Sequence, residues 1–210
     1  GVYSFYATKT ITTAEGGMIV TADDRLSKRM ATMRMHGIDR QVWDRYTSKR
    51  ASWRYAVVEA GFKCNLPDIL SAIGREQLKK ADRFLKERKA VMAEYRKTFD
   101  PLEFISPPPD GTGHAWQLYA LRLEPGRLKV DRDEFIERLR EAGVGTSVHF
   151  IPLHIMPYWS ARYSLKPEDF PQALASFGRT ISLPIWQGMG LERARMVASR
   201  VAELGASLRA

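Results

Sequence analysis

The chain has 210 residues, 44% apolar and 27% charged. This allows one large domain or two small ones with a real core and argues against wholesale disorder. Its formal net charge of +9 favours anionic partners such as phosphate esters, nucleotides or nucleic acid. Most of the excess nevertheless falls at helical spacing between Arg75 and Lys97, as solvated helix faces do. The single cysteine, Cys64, excludes an intramolecular disulfide and a Cys-rich zinc site and fits a reducing cytosol. No apolar run reaches about 18 residues, so no membrane span is expected. No charged-then-apolar export leader is visible, which points to a cytoplasmic location.

Gly1-Val2-Tyr3-Ser4-Phe5 begins in what reads as a strand, with no Met and no loop before it, as if cut inside a domain. Residues 3–21 are rich in apolar and β-branched side chains. They are interrupted at Glu15-Gly16-Gly17, where the glycines permit a tight reversal, and Met18–Thr21 reads as a strand. Asp23 and Asp24 can cap a helix over about Arg25–Met35. Residues 36–66 lack periodicity but hold His36, Gly37, Trp43, Tyr46, Trp53 and Tyr55, an aromatic content that argues for packing.

One long helix is expected from Pro67, a good first helical residue, to Pro101, which stops it. Ile69, Ile73, Leu78, Ala81, Leu85, Met92, Tyr95 and Phe99 would share one face. Pro107-Pro108-Pro109-Asp110-Gly111 is a loop. Trp116–Leu123 reads as a strand in which Trp116, Leu118 and Ala120 alternate with Gln117, Tyr119 and Leu121. Asp131 and Glu134 form a possible capping box for a helix carrying Phe135, Ile136 and Leu139, which ends at Gly143. A strand over Val144–Phe150, a His-, Tyr- and Trp-rich loop over Pro152–Lys166, a helix over Pro171–Phe177, a strand over Ile181–Pro184 and a helix over Leu191–Leu204 follow. The alternation beyond residue 100 predicts a small α/β domain. No repeat or low-complexity tract is present.

Lys9 is the residue with the most chemistry in view. A lysine amine becomes a nucleophile toward an aldehyde when desolvation or a cationic neighbour lowers its pKa. Its neighbours Tyr6, Ala7, Thr8 and Ile11 are small or largely apolar, although a lone lysine is ordinarily a surface residue. Ser4-Phe5-Tyr6-Ala7-Thr8-Lys9, with Glu15-Gly16-Gly17-Met18-Ile19-Val20-Thr21 in register, resembles the Schiff-base segment of the DegT/DnrJ/EryC1/StrS family of pyridoxal-phosphate-dependent sugar aminotransferases. The resemblance continues through Met35-His36-Gly37-Ile38, Trp43-Asp44-Arg45-Tyr46 and Gly61–Asp68. It then takes in His114-Ala115-Trp116, Gly145–Phe150 and Ser182-Leu183-Pro184, and so covers essentially the whole chain.

The resemblance implies an α/β chain: a fragment of the aspartate-aminotransferase (fold type I) fold, with the end of the large domain over residues 1–85 and the small carboxy-terminal α/β domain over 86–210. It implies pyridoxal 5'-phosphate as cofactor, held by Lys9 as a Schiff base, with Lys9 also the general acid and base. Ser4 would bind the cofactor phosphate and Asn65 the phosphate of the neighbouring subunit's cofactor, which implies a homodimer with shared sites. Tyr6, Arg54 and His149 would lie near the sugar. Lysine rather than the histidine of related dehydratases favours transfer of an amino group, from glutamate, to a nucleotide-linked keto sugar. Positive charge would suit a diphosphate there.

The resemblance further implies roughly 170 residues ahead of the Lys9 segment, the size of a large domain. They would carry the ring that stacks on the cofactor and the carboxylate that pairs with its pyridine nitrogen. Cys64 stands where the family more often has an aromatic residue, and Ala14 precedes the Glu-Gly-Gly turn. Two other readings remain. One is a truncated, inactive relative that dimerises or binds a partner. The other is single-strand nucleic-acid binding through Trp and Tyr interleaved with Arg in residues 43–55, for which no recognised motif is present. No metal site is expected, because neither His36 nor His154 has a convincing Cys, Asp or Glu at metal-ligand spacing.

Overall fold

Residues 1–39, 54–111 and 113–210 are described by the computed structural model, and the chain divides into two units, Gly1–Ala81 and Asp82–Ala210. Trp43-Asp44-Arg45-Tyr46 and Trp53 lie outside the described residues.

In the first unit, β1 (Val2–Ser4) and β2 (Gly17–Ile19) form an antiparallel hairpin with Val2 opposite Ile19 and Ser4 opposite Gly17. Helix α1 (Asp24–Met33) follows. Asp23 caps it, its carboxylate accepting from the backbone N–H of Arg25 at 2.8 Å and Leu26 at 3.2 Å. This is how a short acidic side chain satisfies otherwise orphaned helix donors. Residues 57–64 return beside the end of α1. Phe62 N–H donates to Met33 O at 2.7 Å, Val58 N–H to Gly37 O and Cys64 N–H to Arg34 O, each at 2.8 Å. The approach demands glycine at position 37, where φ is +70° and a Cβ would stand 1.8 Å from Glu59 O. Helix α2 (Asp68–Leu78) closes the unit. Its described residues bury only Thr13 and Gly37, while Val2, Tyr3, Met18, Ile19, Phe62, Ile69 and Leu78 are exposed.

The single long helix expected over 67–99 is two helices. Helix α2 ends at Leu78 and α3 spans Ala81–Phe99. At the break Lys80 N–H donates to Gln77 O at 3.0 Å, three residues back, which tightens the turn. The cause is the change of burial on either side. Ile69, Ile73 and Leu78 are exposed, whereas α3 buries Phe84, Arg88, Val91, Met92, Tyr95 and Phe99. That stripe at spacings of three and four makes α3 a core helix. Phe84 and Val91 rather than Leu85 carry the inner face.

The second unit is built on a three-stranded antiparallel sheet in the order β3 (Ile105–Ser106), β4 (Tyr119–Leu123), β5 (Thr180–Leu183). Helices α3, α4 (Arg132–Glu141) and α7 (Leu191–Ser207) contribute to one hydrophobic core with it. The inward phase of β4 is Tyr119, Leu121 and Leu123. Trp116 is buried but outside the strand, at φ 51°. Its N–H donates to His114 Nδ1 at 2.9 Å, and the two rings stack at 4.0 Å. Asp131 caps α4 by accepting from Glu134 N–H at 2.9 Å, and Gly143 at φ +77° lets the chain turn away.

Two further expectations change. The strand predicted over 144–150 is reduced to one bridge between Ser147 and Ser182. The loop predicted over 152–166 contains a 3-10 turn (Leu153–Ile155) and α5 (Pro157–Tyr163), where Pro157 opens the helix as its first residue. Helix α6 (Pro171–Phe177) forms where the sequence places it.

Tyr95 and Tyr119 meet edge to face at 4.9 Å in this core, but their hydroxyls differ. Tyr95 O–H donates to Pro184 O at 2.6 Å, whereas the Tyr119 hydroxyl is buried without a partner. Tyr95→Phe is therefore expected to lower stability by about 1 kcal/mol and Tyr119→Phe to leave it unchanged or raise it, in urea melts. Burial pushes both phenols above their usual range. In the unfolded chain they ionise near pH 10, so their stabilising effect is complete below that pH and fades as pH rises toward their folded values.

On α7, a Cβ at Gly205 would lie 2.0 Å from Phe104 Cζ. Gly205→Ala is expected to destabilise by roughly 1–3 kcal/mol in the same melts, despite alanine's better helix propensity.

Candidate functional site

The candidate site is the loop that joins β1 to β2, residues 5–16, and it is held by backbone and hydroxyl hydrogen bonds, with Thr13 buried close to Gly74 of α2. Phe5 is the knot: its N–H donates to Gly16 O at 2.8 Å, and its carbonyl accepts from Thr13 N–H at 2.9 Å and Thr12 Oγ1 at 3.1 Å. Thr12 Oγ1 also accepts from Ala14 N–H at 2.9 Å, and Thr13 Oγ1 donates to Glu15 O at 2.7 Å. Thr and Ser make such local bonds readily, which is why they fix irregular loops. Gly17 is required where the strands meet, because a Cβ there would stand 2.9 Å from Tyr3 O.

Within this loop Tyr6-Ala7-Thr8-Lys9 is a turn closed by Lys9 N–H donating to Tyr6 O at 2.9 Å. Tyr6 N–H in turn lies 3.4 Å from Ser4 Oγ, its acceptor. Ser4, Tyr6 and Lys9 are thus tied by two consecutive hydrogen bonds on one hairpin. Lys9 and Tyr6 are exposed, and no hydrogen bond or ion pair engages the Lys9 amine among the described residues. An amine with no acidic partner among the described residues and a serine hydroxyl that accepts from Tyr6 N–H suit an aldehyde and a phosphate, the two polar ends of pyridoxal phosphate. The enclosure that would desolvate Lys9 is not built by the described residues.

Asn65 belongs to the same unit, exposed just ahead of α2. With Val2, Tyr3, Gly16, Gly17 and Met18 it lines a broad open groove. Arg54 is exposed in that unit. His149 sits in the second unit, half-buried, with Nδ1 2.8 Å from Ser182 Oγ. The structure therefore brings Ser4, Tyr6 and Lys9 together, gives Asn65 a groove shared with both strands of their hairpin, and places His149 in a different unit. His36 is exposed and His154 buried, and no cluster of three potential metal ligands occurs among the described residues.

Two buried polar side chains carried no role in the sequence. Ser182 was visible only as part of Ser182-Leu183-Pro184. Arg88 read as one more helix-surface cation, yet its place between Phe84 and Val91 on the apolar stripe marks it as inward-facing. It is buried, and that burial lowers its pKa from the usual guanidinium range.

The chain matches the DegT/DnrJ/EryC1/StrS aminotransferase family over residues 1–202. It belongs to that family. Spore coat polysaccharide biosynthesis protein SpsC of Bacillus subtilis is 40% identical over 190 residues, covering 89% of this chain and 49% of SpsC. Helicobacter pylori PseC, an aminotransferase involved in the biosynthesis of pseudoaminic acid, superposes with a TM-score of 0.87 at 27% identity, covering 99% of this chain and 53% of PseC. The pyridoxamine-phosphate form of the sugar aminotransferase Spr1654 from Streptococcus pneumoniae gives 0.86 at 26%, covering 98% and 53%.

The chain spans about half the length of the curated relatives it matches. Its fold is that of part of a fold type I sugar aminotransferase, and the family's cofactor is pyridoxal phosphate. No helix among the described residues is long and apolar enough to cross a membrane.

Ala14, next to the Glu-Gly-Gly turn, adopts φ 66°, a conformation that costs an L-residue roughly 1–2 kcal/mol. Ala14→Gly is expected to stabilise by up to about 1 kcal/mol, the remainder being lost to glycine's greater unfolded-state freedom. Thermal melts compare the two proteins.

Proposed function

We propose that the complete aminotransferase of this family to which these residues belong moves an amino group, from glutamate, onto the keto carbon of a nucleotide-linked sugar in the cytosol. The observation that carries this reading is the pinned hairpin turn, which ties Lys9 through Tyr6 to Ser4, in a chain matched to the family over residues 1–202. Bound pyridoxal phosphate supplies an electron sink and a carrier for the amino group.

The chain's own residues do the rest. Lys9 Nζ would hold the cofactor through its aldehyde carbon, and its free amine would serve as general base and acid at the reacting carbon of the substrate. Ser4 Oγ donates to the cofactor phosphate, and the turn bond from Lys9 N–H to Tyr6 O fixes the spacing between these two contacts. Asn65 reaches the neighbouring subunit's cofactor phosphate, so the working unit is a homodimer. Tyr6, Arg54 and His149 orient the sugar, and the net charge of +9 suits its diphosphate.

Borohydride reduction of the cofactor-loaded complete protein, followed by peptide mass spectrometry, is expected to leave the cofactor on the peptide containing Lys9. Lys9→Ala should cut turnover by at least about 10²-fold. Cofactor recovered on a different lysine would falsify the assignment.

A further inference from the structure

We propose that Ser182 is a positioning residue for His149: its hydroxyl holds Nδ1 as an acceptor and so presents Nε2–H as a donor to an acceptor oxygen of the substrate. The proposal rests on the reading of His149 as a sugar-facing residue.

Ser182 lies in the middle of β5 and is buried. All three of its polar groups point to one short segment. Its backbone N–H donates to Ser147 O at 2.7 Å, its carbonyl accepts from Ser147 N–H at 3.1 Å, and its Oγ stands 2.8 Å from His149 Nδ1. On its other side β5 pairs with β4, Ala120 opposite Ser182. The segment carrying His149 is therefore fastened to a strand that is itself fixed in the sheet, and the Phe150 ring meets the imidazole edge to face at 4.7 Å.

The direction of the Ser182–His149 bond follows from counting partners. A hydroxyl has one proton, and among the described residues His149 Nδ1 is the partner of Ser182 Oγ. Were Nδ1 to donate, the buried hydroxyl proton would be left without an acceptor, which hydrogen-bond satisfaction disfavours. With Oγ–H donating to Nδ1, every proton is placed and the neutral ring carries its hydrogen on Nε2. The outward nitrogen is then a donor, and it selects an acceptor such as a phosphate, hydroxyl or carbonyl oxygen. Fixing one imidazole nitrogen through the bond made by the other is a general device.

The test is nitrogen NMR of histidine-labelled complete protein above about pH 8, where ordinary imidazoles are neutral, with His149 assigned by its loss in His149→Gln. The wild type is expected to show an unprotonated Nδ1 and a protonated Nε2. Ser182→Ala should introduce an Nδ1–H population, and Ser182→Thr, which keeps the hydroxyl, should restore the original pattern. A wild-type His149 protonated at Nδ1 overturns the proposal, as does a Ser182→Ala spectrum unchanged from wild type. The wild-type spectrum decides even if the alanine variant fails to fold.

Titration with UDP-glucose, a probe that carries a sugar, supplies the second readout, and Ser182→Ala is expected to weaken binding by about fivefold, the worth of one hydrogen bond. If His149→Gln binds UDP-glucose as tightly as the wild type, the sugar-facing reading of His149 is what fails. That outcome is distinct from failure of the Ser182 bond, which shows in the nitrogen spectrum of the unliganded protein.

Discussion

The second unit depends on one buried cation. Arg88 reaches out of α3 to three backbone carbonyls: Trp116 at 2.9 Å, Gln117 at 3.3 Å and Ile185 at 3.1 Å, all from one guanidinium nitrogen, while the other donates to Gln187 Oε1 at 2.8 Å. These acceptors sit just before β4 and just after β5. A helix is thereby tied to one end of a strand pair, where the start of β4 lies beside the end of β5. Glu87 works alongside, its carboxylate accepting from Gly188 N–H at 2.8 Å. A planar fork of five donors suits several carbonyls at once, which the point charge of a lysine does not. Burying the charge is costly, and the carbonyl dipoles offset that cost. Because β5 carries Ser182, the same cation fixes the strand against which His149 is held.

The first unit is organised on a different principle. Its described residues form no apolar core, and the loop that presents Lys9 is specified by hydroxyl and backbone bonds that converge on Phe5. Local bonds of this type set direction well but contribute little net stability each. Such a loop keeps a reactive side chain in register with Ser4 while leaving its amine uncovered. In the second unit the side chain with proposed chemistry, His149, instead leans on a strand whose Ile181, Ser182 and Leu183 are all buried. The two kinds of support suit two tasks: a nucleophile that must be reached, and a recognition group whose hydrogen must point one way.

What the sequence disclosed follows from the range of each interaction. Caps and turn glycines are local, so Asp23, Asp131, Gly17 and Gly143 could be read directly, and so could the helices they begin or end. The Lys9 segment was legible because its residues are contiguous. The break between α2 and α3 was not, because neither glycine nor proline marks it. It arises where exposed Ile69, Ile73 and Leu78 give way to the buried stripe of α3, a distinction that depends on what each face meets. The strand expected over 144–150 failed for a related reason. Its alternation is genuine, but only Ser147 finds a pairing partner, and pairing rather than pattern makes a strand. Arg88 and Ser182 could not be assigned roles because their partners lie 28 to 99 residues and 33 residues away along the chain.

That contrast explains why the recognisable motif and the newly assigned residue differ in character. A lysine that must form a covalent bond is identified by its own chemistry, and almost any framework that holds its loop will serve. A serine that acts through a histidine has no signature of its own. It gains meaning only when β5 is paired on one side with β4 and bridged on the other to Ser147, leaving its hydroxyl one partner among the described residues, His149. Polar groups buried with one partner have their hydrogen-bond direction dictated by the sheet, whereas exposed ones exchange partners with water. Buried hydroxyls facing half-buried imidazoles are therefore where a fold can determine a tautomer. In this chain Arg88 anchors the backbone just past β5, and Ser182 of that strand holds the ring of His149, so support for that choice runs from the cation along β5 to the imidazole.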